Sequence, residues 1–259
     1  MGNRTVGFIG GGRITKVILE GLRRKNSLPG EIHVSDTNIE VLEKLKMGFP
    51  EINIYSSNEI PASQDLIFIS LHPPVLKESL EKVRDFIKKD SILISLAPKV
   101  SIEKISEILN GFNKIARINP NAPSYVNAGF NPVAFSSSLT KEERTEITDI
   151  FQKLGAFPEV DEKNIEAYAI TSAMGPTYFW PQLYELKDLA ISFGLSEKEA
   201  MDAIRTMMIG AVKTMFESGL EPKDVMDLVP VKPLCDEEEN IKNIYRSKLK
   251  PLFEKLKNL

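Results

Sequence analysis

The segment from Thr5 to Thr15 places three successive glycines directly after a short apolar run and directly before an amphipathic helical pattern. This order predicts a β-strand, a tight turn and the first turn of a helix. Gly10 permits the turn, and Gly12 lets the backbone approach a phosphate that the N–H groups of the helix N-terminus stabilise. The alternative is an ordinary glycine-rich turn. We predict that the turn binds a dinucleotide through Gly10, Gly11, Gly12, Arg13 and Ile14.

The first two thirds of the chain alternate short apolar runs with amphipathic helical patterns. Such alternation predicts a doubly wound parallel sheet of the Rossmann type. Long helical patterns dominate after about Val160, and no comparable strand pattern follows. The predicted fold is therefore α/β, with a dinucleotide-binding Rossmann domain at residues 1–160 and an all-helical domain at 161–259. The predicted strands are Val6–Ile9, Glu31–Ser35, Ile52–Tyr55, Asp65–Leu71, Ser91–Leu96 and Lys114–Ile118.

Two local features are expected from capping and proline chemistry. Thr37 and Glu40 have the spacing of a capping box for the helix after the second strand. Pro251 is expected to kink or interrupt the last helix, because proline lacks the backbone N–H that a helix uses.

Composition narrows the classes of function. Hydrophobic residues make up 42% of the chain, charged residues 27%, and the net charge is -3, which is typical of a soluble globular protein without a nucleic-acid surface. A single cysteine excludes an internal disulfide, and two histidines make a histidine-built metal site or catalytic triad an unfavoured hypothesis. No apolar run approaches the roughly 20 residues of a membrane span. We expect a cytoplasmic protein without a metal, membrane or nucleic-acid partner.

Asp36 lies at the end of the second predicted strand, where a carboxylate accepts hydrogen bonds from an adenosine ribose and repels a 2′-phosphate. This position favours NAD over NADP. Arg13 and Thr37 lie nearby and keep NADP open as an alternative. Asp36 can also be read as a surface residue that precedes a helix.

Ligands of doubly wound folds bind at the carboxyl ends of the strands, and several polar or proline-rich segments follow predicted strands here. His72 is a candidate contact for the nicotinamide ribose or the substrate, or else a structural loop histidine. The loop Arg117–Pro123 offers two asparagine amides between two prolines, or else forms an ordinary turn. The further predicted cofactor contacts are Leu71, His72, Pro73, Ala97, Asn119 and Asn121.

Three motifs together resemble the pyrroline-5-carboxylate reductase family. Ile9–Thr15 is similar to the family's I-G-x-G-N-M-A turn, and Arg117–Pro123 is similar to its R-x-M-P-N-T-P loop. Ser172–Tyr178 stands where the family has S-G-S-G-P-A-Y, with Gly194-Leu195 following. The resemblance covers essentially the whole chain and agrees with the predicted division into two domains.

The resemblance implies a reaction and an assembly. Members of this family move a hydride from NAD(H) or NADP(H) to the C=N carbon of a cyclic imine, which yields proline. The resemblance also implies a homodimer that forms through the helical domain. This domain would contact both the substrate and the second copy of the chain. The alternative is that the apolar residues of that domain fill the core of a single chain. These residues are Phe179, Trp180, Leu183, Leu186, Met207, Met208 and Met215.

The chain departs from the family where the substrate is held. The family's S-P-G-G-T-T loop binds the substrate carboxylate, whereas Val231–Asp236 lacks its glycines and threonines. A proline there removes an N–H, so the same carboxylate nest cannot form. Ser172, Lys232 and Asp236 are the candidate catalytic residues: Lys232 as a charge for the carboxylate and Asp236 as a proton donor. The alternative is a solvated Lys232 and an Asp236 that caps the last helix.

The departures leave two hypotheses open. The first is an imine or keto reductase of this family, acting on pyrroline-5-carboxylate or a related substrate. The second is a paralogue that binds the dinucleotide without turnover and serves as a sensor or partner protein. A β-hydroxyacid dehydrogenase ranks last, because residues 175–187 lack the lysine and asparagine one helical turn apart that such an enzyme needs.

Overall fold

The structure, a computed structural model, describes residues 4–257, except for the side chains of Pro73 and Pro74. Contacts divide the chain into two compact units. The sheet unit extends to Met174 and takes in the end of the chain from Leu252, and the helical unit is Gly175–Pro251. The boundary between the compact units, at Met174 and Gly175, therefore lies later in the chain than the predicted domain boundary at residues 160–161. The domain boundary itself stays a prediction.

The sheet unit is built on a seven-stranded sheet in the order β3-β2-β1-β4-β5-β6-β8. The first six of these strands are parallel, and β8 adds to the edge antiparallel to β6. This order is that of a Rossmann sheet, so the predicted fold class is confirmed. The short strands β7 and β9 pair separately. The strands are β1 Val6–Ile9, β2 Ile32–Ser35, β3 Asn53–Tyr55, β4 Leu66–Ile69, β5 Ile92–Ser95, β6 Ile115–Ile118, β7 Gly129–Phe130, β8 Val133–Phe135 and β9 Gly155–Ala156.

Helices cover both faces of this sheet, because successive strand side chains point to opposite sides. One apolar cluster joins strand residues such as Phe8 to α1, α2 and α6, and the other joins residues such as Ile9 to α4 and α5. Phe8 stacks on Phe68 with ring centres 4.4 Å apart. The helices of the sheet unit are α1 Arg13–Arg24, α2 Ile39–Gly48, α3 Glu59–Ala62, α4 Pro73–Val83, α5 Ile102–Ile108, α6 Lys141–Phe151 and α7 Ile165–Tyr168.

Two local predictions need correction. The N-cap of α2 is Asn38, whose side chain accepts a hydrogen bond from the Glu40 N–H, so the predicted Thr37 capping box is wrong. Asparagine is a stronger N-cap than threonine, which explains the shift by one residue. The first of the long helical patterns predicted after Val160 is not one helix but a 3-10 turn at Glu162–Asn164, then α7, then a π-helix at Ala169–Ala173.

The helical unit contains α8 Pro176–Ser192, α9 Glu197–Glu217, α10 Pro222–Asp227, a 3-10 turn at Cys235–Glu237 and most of α11 Glu238–Lys257. The last helix continues through Pro251, so the predicted interruption there is wrong. Proline removes one hydrogen bond, whereas the bonds on either side hold the helix together. Among residues 4–257, no helix is both long and apolar enough to cross a membrane.

The helical unit has almost no interior of its own. Gly175 and Ala200 are its only buried residues. Most of the aromatic and methionine side chains of α8 and α9 are exposed, for example Trp180 at 44% and Met215 at 58%. The alternative that these residues fill the core of a single chain is therefore wrong.

Candidate functional site

A cavity of about 570 Å³ lies at the carboxyl ends of β1, β2 and β4, above the glycine turn. The crevice beyond the carboxyl ends of the strands is where Rossmann folds bind ligands. Its lining residues are Gly10, Gly11, Gly12, Arg13, Lys16, Asp36, Thr37, Val41, Lys44, Leu45, Ser70, Leu71, His72 and Val75.

Glycine is required at the centre of the turn. Gly10 has a φ of +106°, and a Cβ atom there would lie 2.7 Å from the carbonyl oxygen of Ser70. Gly12 is the N-cap of α1, where no side chain caps the helix and a Cβ atom would meet nothing within 4 Å. The N-terminus of α1 is therefore open for a phosphate to approach closely.

Two side chains stabilise this turn through hydrogen bonds to its backbone. The buried Thr15 hydroxyl donates a hydrogen bond of 2.6 Å to the Gly10 carbonyl. Asp36 accepts 2.9 Å hydrogen bonds from the Gly11 N–H at Oδ2 and from the Asn38 N–H at Oδ1. Thr15, which departs from the small residue preferred at this position, thus stabilises the turn. The Asp36 carboxylate is fixed in orientation at the end of β2.

The rim of the cavity is positively charged. Arg13 and Lys16 lie on α1 and Lys44 lies on α2, all three are exposed, and Asp36 is the one carboxylate in the lining. This arrangement suits the phosphate groups of a dinucleotide, with a ribose near the carboxylate. His72 is exposed at the N-cap position of α4, where its side chain makes no capping bond.

Polar atoms without partners continue along the same edge of the sheet. Ser70 Oγ, Ser95 Oγ and Asn119 Nδ2 follow or end β4, β5 and β6, are buried, and have no hydrogen-bond partner within the described chain. Leaving a buried polar group unpaired costs about 1–3 kcal/mol, so such groups fit a polar ligand or water. Of the three residues, Ser70 lines the large cavity, where its hydroxyl is available to a polar ligand.

The structure brings eight of the predicted cofactor residues into the cavity lining and separates others from it. Ile14 packs against the hydrophobic core instead. Ala97 and Asn119 line a separate hollow of about 10 Å³, the size of one water molecule. The Asn121 amide is bonded within the chain, and the side chain of Pro73 lies outside the described part. The eight are Gly10, Gly11, Gly12, Arg13, Asp36, Thr37, Leu71 and His72.

Sequence reasoning missed the residues that reach the cavity from the helices. Lys16 lies four positions after Gly12, on the same helical face as the turn. Val41, Lys44 and Leu45 repeat at three and four positions along α2 and share one face in the same way. Helical spacing counted from the glycines and from Asp36 would have found these residues. Ser70, which ends the apolar run of β4, carried no such signal.

The three candidate catalytic residues occupy different settings. Ser172 lies in the π-helix of the sheet unit, where its hydroxyl donates a hydrogen bond of 2.8 Å to the Tyr168 carbonyl. Lys232 and Asp236 are exposed in the helical unit. The Cys235 thiol donates to Asp236 Oδ1 over 3.6 Å. Their catalytic roles stay predictions.

Comparison with known proteins identifies both parts of the chain. Residues 5–99 match a family model described as NADP oxidoreductase coenzyme F420-dependent. Residues 162–233 match one described as pyrroline-5-carboxylate reductase dimerisation. The chain is 28% identical to the pyrroline-5-carboxylate reductase of Escherichia coli over 227 residues, covering 87% of this chain and 84% of that protein. The Methanosarcina acetivorans enzyme is 25% identical over 233 residues, covering 88% and 85%.

The chain is therefore similar to pyrroline-5-carboxylate reductases over most of its length, and its helical part matches the dimerisation model of that family. Solved structures agree. A pyrroline-5-carboxylate reductase from Coxiella burnetii superposes with a TM-score of 0.70 at 25% identity, covering 99% of this chain and 95% of that one. A Plasmodium falciparum pyrroline carboxylate reductase with NADP bound gives a TM-score of 0.84 at 23% identity, covering 100% and 98%, and supports the fold.

Proposed function

We propose that the protein reduces the C=N bond of a cyclic imine carboxylate, such as pyrroline-5-carboxylate, with a reduced nicotinamide dinucleotide. The observation that carries the proposal is the open turn at Gly10–Gly12 beneath a cavity with a positive rim. Bound nicotinamide would supply the hydride. The protein's own residues bind the phosphates, orient the ribose and exclude water. The substrate class is the one after which the similar pyrroline-5-carboxylate reductases are named.

The cofactor is NADH in preference to NADPH. Asp36 supports this choice, because its carboxylate is held in place by two backbone N–H groups at the end of β2. A fixed negative charge there accepts a ribose hydroxyl and repels a 2′-phosphate. The pyrophosphate group, rather than a 2′-phosphate, is then bound by Arg13, Lys16 and Lys44.

Lys232 holds the substrate carboxylate, because this chain lacks the S-P-G-G-T-T loop that binds it in the family. Asp236 supplies a proton to the imine nitrogen. One observation supports the role of Lys232, and one chemical principle supports that of Asp236. Lys232 is exposed and has no ion-pair partner within the described chain, which leaves its ammonium available for an anion. A protonated imine is the better acceptor of hydride, so a carboxylic acid or carboxylate beside it favours the reaction.

A steady-state assay with NADH and pyrroline-5-carboxylate, beside calorimetric titration with NADH alone, tests the proposal. We expect turnover. Lys232→Met should raise the KM for the imine about tenfold or more and leave the NADH affinity unchanged. The matched control is Lys223→Met, an exposed lysine on α10 of the same unit. An equal effect of both substitutions would contradict the role of Lys232.

A second candidate function is dinucleotide binding without turnover. The replacement of the family's carboxylate-binding loop by Val231–Asp236 favours it. NADH binding in the calorimeter with no NADH oxidation on cyclic imines would establish this alternative and reject reduction.

The protein is a homodimer through its helical unit. The near absence of buried residues in that unit supports this, because exposed apolar helices need another surface to cover them. The dimerisation match at residues 162–233 spans α8, α9 and α10.

A further inference from the structure

We infer that Asn121 is a positioning residue, whose side-chain amide fixes the π-helix Ala169–Ala173, and with it Ser172, to the loop after β6. The inference deepens the proposed function and rests on it where Ser172 is given a role toward substrate. It replaces the cofactor contact that the sequence predicted for Asn121.

Both ends of the Asn121 amide are used within the chain. Its Nδ2 donates a hydrogen bond of 3.2 Å to the Ser172 carbonyl, and its Oδ1 accepts one of 3.0 Å from the Phe130 N–H. The residue is 7% exposed and is not part of the cavity lining. An amide bonded to two backbone groups in this way fixes those groups relative to each other.

The loop that presents Asn121 is itself held rigidly. The fully buried Asn131 accepts a 3.2 Å hydrogen bond from the Asn121 N–H and a 2.7 Å one from the Ser124 hydroxyl at the same oxygen. The Asn131 N–H in turn donates to the Ala156 carbonyl over 2.9 Å. These bonds, to a buried side chain and through it to β9, hold the loop, so Asn121 reaches the π-helix from a defined position.

A second connection anchors the segment that leads into the π-helix. The guanidinium of Arg117, a residue 3% exposed on β6, pairs with Glu162 over 3.3 Å and with Glu166. Glu162 also accepts a 2.7 Å hydrogen bond from the N–H of Ile102, the first residue of α5. Arg117 therefore holds the start of the segment, and Asn121 holds its far end at Ser172.

The π-helix is the element that this arrangement serves. Short π-helical turns within helices are frequent at functional sites, and they present side chains that a regular α-helix would turn away. The Ser172 hydroxyl bonds to Tyr168 inside its own helix, so its direction depends on where that helix lies. A shift of about 1 Å at a substrate-binding group costs up to about a hundredfold in rate.

Asn121→Asp tests the inference. The carboxylate keeps an acceptor for the Phe130 N–H but faces the Ser172 carbonyl with an acceptor instead of a donor. We expect kcat/KM for the imine to fall between about tenfold and a hundredfold, with the NADH dissociation constant unchanged within about twofold. Hydrogen exchange of the backbone amides of residues 169–174 should become at least about tenfold faster, because the π-helix loses an anchor.

Asn127→Asp is the matched control. Its amide donates to the carbonyls of Gly21 and Lys153 over 2.7 and 2.8 Å, so the same chemistry is lost at a loop position without a bond to the π-helix. This variant should lose stability while the imine kinetics and the exchange of residues 169–174 stay at the wild-type level. Equal effects of the two variants would overturn the inference.

The outcomes separate the inference from the proposed function. Weaker NADH binding by Asn121→Asp with unchanged exchange at residues 169–174 would restore the cofactor contact and overturn the positioning role. If the wild type reduces no imine, the proposed function fails and the exchange measurement alone decides. If Asn121→Asp does not fold, Asn121→Ser removes the same donor without adding charge, and it should show the same loss of kcat/KM and the same faster exchange.

Discussion

The sheet unit and the helical unit bury their apolar residues in different ways. The sheet unit holds two continuous apolar clusters, one on each face of its sheet, with residues such as Ile18 and Leu93 completely buried. The helical unit has long helices, of which α9 begins with a capping box, yet Gly175 and Ala200 are its only buried residues. Regular helices therefore form here in a unit that has no hydrophobic core of its own. Helices in water gain most of their stability from packing, so the helical unit needs a second surface.

We expect the strongest effect in the helical unit, whose apolar residues are exposed. Trp180→Glu places a charge on the exposed apolar surface of α8. We expect the dimer dissociation constant to rise at least about 30-fold, or about 2 kcal/mol, because central tryptophans dominate such interfaces. Sedimentation velocity at micromolar concentration measures it. Met47→Glu is the control, since Met47 is 75% exposed on α2 of the sheet unit and should leave the dimer intact. A dimeric Trp180→Glu would show that another surface holds the copies together.

The next effect stays within the sheet unit. Gly10→Ala introduces a side chain at a φ of +106° and 2.7 Å from the Ser70 carbonyl. We expect NADH binding to be lost and the free energy of unfolding to fall by about 1–3 kcal/mol, with the dimer retained. Gly111→Ala shares the positive φ, at +91°, but has open space around the new Cβ atom, so it should bind NADH normally. NADH binding by Gly10→Ala would show that the turn does not need its glycine.

A smaller effect concerns the choice between cofactors. Asp36→Asn keeps a hydrogen-bonding group of the same shape and removes the charge beneath the cavity. We expect the ratio of kcat/KM for NADH to that for NADPH to fall at least about tenfold, since the repulsion of a 2′-phosphate is lost. Glu40→Gln, an exposed acid on α2 outside the lining, should leave this ratio unchanged. A wild type that prefers NADPH would reject the assigned role of Asp36.

The weakest of the four effects is expected at Asp65, which directly precedes β4 in the sheet unit. The Thr5 N–H, 3.0 Å from Oδ2, and then Lys88 hold the pKa of Asp65 below its usual value despite partial burial. A lowered pKa in the folded state contributes stability that is present at neutral pH and is lost as the pH falls below about 4.

Asp65→Asn should therefore lower the free energy of unfolding at pH 7 by less than about 1 kcal/mol, because the Lys88 pair is partly exposed. It should also flatten the decline of stability below pH 4. Denaturant unfolding at pH 7 and pH 3 measures both, and Asp85→Asn, whose side chain is 86% exposed, is the control. A variant with the same pH dependence as the wild type would contradict the role of Asp65.

Sequence reasoning succeeded where one segment determines its own structure. Five of the six parallel strands were predictable because they are short runs that parallel sheets bury on both faces, whereas the edge strand β3 is only partly buried. The glycine turn and Asp36 were predictable because their conformation and charge are local properties. The antiparallel β8 was missed, since Val133–Phe135 is too short to show a strand pattern.

Features that depend on distant contacts were not predictable in this way. Asn121 has the composition of a ligand contact, and only the fold shows its amide bonded to Ser172. The π-helix at Ala169–Ala173 carries no residue signal that separates it from an α-helix. The apolar residues of α8 and α9 give the same pattern whether the surface that covers them belongs to the same chain or to another.

The π-helix has a consequence for how this chain can change during evolution. A π-helical turn closes its hydrogen bond over five residues instead of four, so the turn depends on the number of residues in the segment more than on which residues they are. Ala173 and Met174 differ from the family's glycine and serine, which shows that substitutions are accepted beside Ser172. Deleting a single residue would instead rotate everything after it by about 100° around the helix axis. Insertions and deletions should therefore be rare here among descendants of this gene, even where its side chains diverge.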